Sequence, residues 1–122
     1  AYFQWLLVNK FAKAYDPSTA ENDPGIPYVL EDWDLTVPTE KWTVAQVYEQ
    51  ALKDINDAIA LNALPNMNVN RMRMSLPAAY AVKAHILMSM QKYDEAKAAA
   101  EQSLAINPTV NDYNSEAMTR YS

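Results

Sequence analysis

The chain has 122 residues, with 10 basic and 15 acidic side chains and a formal net charge of −5. One glycine, one histidine and no cysteine exclude glycine-rich phosphate loops, disulfides, iron–sulfur clusters and thiol nucleophiles, and zinc sites built on Cys or on three His. The acidic balance argues against nucleic acid, where affinity comes mainly from neutralising phosphates. Residues 1–15 read as a helix, because Tyr2, Phe3, Leu6, Leu7, Phe11 and Tyr15 recur at helical spacing. Asp16-Pro17 ends it. Residues 16–41 read as a long irregular insertion, since Pro17, Pro24, Pro27 and Pro38 forbid a helix or a central strand. Within it, Asp23-Pro24-Gly25-Ile26-Pro27 suits a type II turn with Gly25 at positive φ.

Residues 43–62 carry the clearest helical pattern. Val44, Val47, Tyr48, Ala51, Leu52, Ile55 and Ile59 fall within an arc of about 140° at 100° per residue. Thr43 and Gln46 fit a capping box, and Trp42 fits a hydrophobic staple onto Val47. Glu49 and Lys53 form an i,i+4 pair in the favourable order. A connector follows, rich in Asn and containing Arg71 and Arg73. Ser75 is an N-cap with Pro77 in the first turn, so residues 77–91 start a third helix. Residues 93–106 read as a fourth, with Asp94 and Glu95 placed to favour the macrodipole and Asn107-Pro108 as its stop. The tail 109–122 is polar, with one apolar set: Tyr113, Ala117, Met118 and Tyr121.

The pair 77–108 resembles one tetratricopeptide repeat, a two-helix unit of about 34 residues. Tyr80, Ala84 and Leu87 are spaced i, i+4, i+7. Ala96, Ala99, Ala100 and Ser103 allow close approach, with Tyr93 and Leu104 filling around them. Gln91 stands at the turn position that is usually glycine in such repeats. The fold class is therefore all-α: tetratricopeptide-like hairpins, about four helices, and one long insertion, in a single domain over 1–122. The chain opens inside a helix, so a piece of a longer protein is expected.

A wider resemblance rests on an ordered set. It runs from the aromatic opening Ala1-Tyr2-Phe3-Gln4-Trp5, through Gly25-Ile26-Pro27, to Thr43-Val44-Ala45-Gln46-Val47-Tyr48 and Asp54-Ile55-Asn56-Asp57-Ala58. Arg73-Met74-Ser75 and Ala78-Ala79-Tyr80 complete it. From residue 1 to about 108 the chain resembles the SusD/RagB-like outer-membrane nutrient-binding lipoproteins. That resemblance implies a non-enzymatic surface protein that binds a glycan or other nutrient. It implies a SusC-type TonB-dependent transporter as partner, and helices that act as scaffold and transporter contact. It also implies an outer-membrane, cell-surface location through a lipid anchor that lies outside this sequence. The rival reading is a tetratricopeptide adaptor that binds a peptide or protein.

Four residues of the insertion are candidates for ligand contact: Trp33, Tyr28, Asp32 and Asp34. An indole stacks on the C–H face of a sugar while neighbouring carboxylates accept from its hydroxyls. The competing reading has Trp33 and Tyr28 covering the helix layer among solvated acids. Glu31, Asp32 and Asp34 do not match the spacing of an EF-hand loop. The lone His85 and the Asp54/Asp57 pair carry no acid–base context. No catalytic residue, metal site or cofactor is expected.

Overall fold

The computed structural model describes residues 1–29, 39–67, 69–70 and 72–109. It is all-α. The helices are α1 (Tyr2–Phe11), α2 (Val44–Ala60), α3 (Leu76–Ser89) and α4 (Tyr93–Ile106), and each packs on the next in chain order. The tail, except for residue 109, lies outside the described residues, as do residues 30–38 of the insertion.

The core forms where the apolar stripe of α2 meets its neighbours. Val44, Val47, Tyr48, Ala51 and Ile55 pack with Val8 of α1 and with Ala79, Val82 and Ile86 of α3. A smaller cluster of Leu87, Ala96 and Ala99 joins α3 to α4. Ile86 and Leu87 are adjacent in sequence and both fully buried, one in each cluster. Thus α3 is covered on two sides, which explains why its sequence is apolar almost all round rather than striped. Each such buried Ile or Leu contributes about 1.5–3 kcal/mol.

The start of α2 is satisfied from two directions. Thr43 Oγ1 accepts from the Gln46 amide at 3.3 Å, and Gln46 Oε1 accepts from the Thr43 amide at 3.0 Å. The capping box is therefore as the sequence indicates. The insertion supplies the rest. The Val44 amide donates to Asp23 O at 2.9 Å and the Ala45 amide to Ala20 O at 3.0 Å. Helix amides without intrahelical partners thus pin residues 16–25 to the body of the fold.

Several expectations are corrected. The first helix stops at Phe11, not near residue 15, and Ala12 is extended at φ −120°, ψ 174°. Tertiary contacts draw the next residues away. The Tyr15 ring meets Tyr48 edge-on at 5.1 Å, Gln91 Nε2 donates to Tyr15 O, and Lys13 Nζ reaches Asp23 Oδ1 at 2.6 Å. Gly25 is not at positive φ. It is glycine because the backbone of Trp42 and Thr43 runs against it. A Cβ there would stand 2.7 Å from Trp42 O and 2.9 Å from Thr43 C.

Trp42 stacks its ring on Tyr28 at 5.3 Å and packs against the core cluster that contains Val47. Lys53 pairs with Asp57 at 2.7 Å rather than with Glu49. In the hairpin, Ser103 Oγ donates to Pro77 O at 2.8 Å and Ala96 and Ala99 are buried. Tyr93 and Leu104, however, are 61% and 52% exposed. They border the interhelical contact and do not fill it.

Candidate functional site

The insertion begins as a chain of turns that orders itself. Asp16 Oδ1 accepts from the amide and the hydroxyl of Ser18 at 2.9 and 2.6 Å. Asp16 O accepts from Ala20 and Thr19 O accepts from Asp23. Asp23 is buried, and its carboxylate accepts from Lys13 Nζ and Thr19 Oγ1, both at 2.6 Å. The Lys13 hydrogen bond first, then that of Thr19, hold this carboxyl below its ordinary range.

Past Gly25 the chain runs beside the start of α2. Gly25 N donates to Trp42 O at 2.8 Å and Trp42 N donates to Ile26 O at 3.2 Å. This pairing sets Tyr28 against Trp42, with their ring planes 20° apart. Tyr28 is 8% exposed. Its hydroxyl donates to Asp54 Oδ2 at 2.5 Å, and Gln50 Nε2 donates to Asp54 Oδ1 at 2.7 Å. Burial first, and then Asp54, push the Tyr28 phenol well above its ordinary value. It stays protonated and acts as a donor. Both carboxylate oxygens of Asp54 are engaged, which suits a structural anchor rather than proton transfer.

Tyr28 is therefore the underside of an aromatic pair, with one ring face against Trp42. The half-buried indole of Trp42 lines a depression of about 310 Å³ with Gln46, Glu49, Gln50 and Lys53. The other three sequence candidates, Trp33, Asp32 and Asp34, lie outside the described residues. The available signal for the depression was a polar stripe at i, i+3, i+4, i+7 along α2, immediately after a tryptophan.

A second concavity lies on the α3–α4 hairpin. It measures about 520 Å³ and is lined mainly by Ala84, Met88, Tyr93, Ala96, Ala100 and Leu104. His85 sits at this groove and also faces Trp5, with ring centroids 5.5 Å apart. Trp5 Nε1 donates to Ser89 Oγ at 3.0 Å, so the aromatic opening of α1 is fastened to the end of α3. Among the described residues, no group of three or more His, Asp or Glu is arranged to hold a metal ion.

These features define a class: an all-α scaffold of packed helices, closed by a tetratricopeptide-like hairpin and carrying a docked insertion. Residues 77–110 match the tetratricopeptide repeat. Residues 1–88 match the SusD-like family described as starch-binding and associating with the outer membrane, and the chain belongs to that family. The two matches share α3, which fits its double role in the packing. No curated protein matches the chain. Membership supports a nutrient-binding role, and the family's description names binding rather than catalysis. No described helix is long and apolar enough to cross a membrane.

Proposed function

We propose that this chain is the helical part of a surface lipoprotein that binds a glycan or related nutrient and works with a SusC-type TonB-dependent transporter. The helices serve mainly as scaffold and transporter contact. The insertion carries ligand contacts through Trp33, Asp32 and Asp34, with Tyr28 supporting the aromatic layer beneath. A lipid anchor elsewhere in the protein holds it at the outer-membrane surface. No catalytic step is assigned. The observation that carries this reading is the family match over residues 1–88, which takes in the insertion and the helix that fastens it.

Calorimetry of the intact protein against a panel of neutral oligosaccharides tests the ligand. Binding that weakens at least fivefold in Trp33→Ala supports the reading, and unchanged affinity removes Trp33 from the site. Co-purification with a TonB-dependent transporter tests the partner. The apolar hairpin groove favours a second reading, an adaptor that binds a peptide or protein. Tight binding to an unfolded peptide, with no response to any sugar, would establish that alternative.

A further inference from the structure

We propose that the ledge formed by Trp42, Gln46, Glu49, Gln50 and Lys53 is a subsite for one neutral pyranose ring. The inference rests on the nutrient-binding reading and gives it a location on the described part of the molecule.

The indole of Trp42 is held in place before any ligand arrives. Both backbone groups of Trp42 are hydrogen-bonded, its N–H to Ile26 O and its carbonyl to the Gly25 amide. Its ring rests on Tyr28, which is itself held by burial and by Asp54. A fixed aromatic surface loses little entropy when a ligand stacks on it. The C–H face of a sugar is the kind of apolar surface such a ring accepts.

The side chains around the ring carry both donors and acceptors. Among the described residues, Gln46 uses only its Oε1, in the capping box, which leaves its amide N–H groups to donate. Among the described residues, Gln50 gives its Nε2 to Asp54 and its Oε1 is left to accept. Glu49 is an exposed acceptor. Among the described residues, Lys53 spends one N–H on Asp57, which leaves two. Donors and acceptors thus stand together at the edge of one indole, as hydroxyl groups that both donate and accept require.

Charge and size narrow the class. Glu49 and Lys53 offset each other, and Asp57 and Asp54, bonded to Lys53 and Gln50, leave the surroundings negative, which disfavours a phosphate or other polyanion in a chain of net charge −5. A volume of about 310 Å³ lies at the small end of ligand sites, enough for a single ring rather than an enclosed chain. An open site of this kind gives a dissociation constant on the order of 1 mM.

The test is an NMR titration of the full chain with glucose, galactose, xylose and maltotriose, following the indole N–H signals of Trp5, Trp33 and Trp42. Saturable movement of the Trp42 signal is expected, with affinity at least fivefold weaker in Glu49→Ala and Lys53→Ala. Both positions are exposed, so the variants keep the fold where Trp42→Ala could lose it. Sugar binding that leaves Trp42 unmoved and is indifferent to both substitutions overturns the subsite but not the nutrient-binding reading. No response of this chain to any sugar, at any tryptophan, overturns the subsite, and the same silence in the intact protein overturns both.

Discussion

Gly25 and Gln91 show two different reasons why a backbone position prefers glycine, and only one of the two positions has it. At Gly25 the demand is space. Any Cβ collides with the Trp42 and Thr43 backbone, and that backbone also makes the Gly25–Trp42 hydrogen bond. Gly25→Ala should destabilise the fold by about 1–3 kcal/mol, the usual cost of overpacking, read as a lower urea midpoint. Gly25→Asn should be at least as damaging. A well-tolerated Asn would mean that conformation, not space, is the issue. At Gln91 the demand is conformation, since φ is 61°. Gln91→Gly relieves left-handed strain, partly offset by the greater freedom of the unfolded chain, and should raise stability by about 0.5–1 kcal/mol. A fall in melting temperature would instead show that the Gln91–Tyr15 bond outweighs the strain.

Asp23 adds a pH dependence at the same scale. Its carboxyl is held below the ordinary range by Lys13 and then Thr19. A carboxylate lowered in the folded state stabilises the fold above its unfolded pKa, about 3.9 for Asp. That contribution disappears as pH falls through the folded value. Thermal melts should therefore drop as pH falls below about 4, and Asp23→Asn should flatten part of that slope. Asp16, lowered by its Ser18 hydrogen bonds, leaves a residual slope. Identical slopes in the variant and the parent would remove Asp23 from the account.

At the scale of elements, legibility followed the distance between partners. The capping box of α2 was readable because Thr43 and Gln46 sit in one turn. Thr43→Ala should cost about 1 kcal/mol, measurable by chemical denaturation, whereas Thr43→Ser should be close to neutral. The end of α1 was not readable. Its helical spacing continues to Tyr15, but Tyr48, Asp23 and Gln91 take the 13–15 segment instead. Gly25 was correctly singled out for the wrong reason, because the approaching backbone belongs to a distant stretch. The site divided similarly. Tyr28 was legible as an important aromatic, but its place under Trp42 depends on the pairing of residues 25–26 with Trp42. The polar stripe of α2 was visible as a pattern and gained meaning only once the indole stood beside it.

At the scale of the molecule, the hairpin of α3 and α4 is half of an arrangement. Repeats of this type bury their faces by stacking on neighbours. Here α2 covers one side of α3, while Met88, Tyr93 and Leu104 remain exposed on the opposite groove. Apolar surface grouped in one concavity drives association, unlike the same residues scattered singly. The chain taken alone should therefore self-associate as its concentration rises. Met88→Lys with Leu104→Lys should abolish this while changing stability by no more than about 0.5 kcal/mol per site, since both side chains are exposed. Sedimentation velocity across a hundredfold concentration range, paired with urea denaturation, separates the two effects. A parent chain that stays monodisperse throughout would show that the groove does not drive contact. Association that persists in the double variant would move the contact elsewhere, with the exposed Phe3 and Phe11 of α1 as the next surface to substitute.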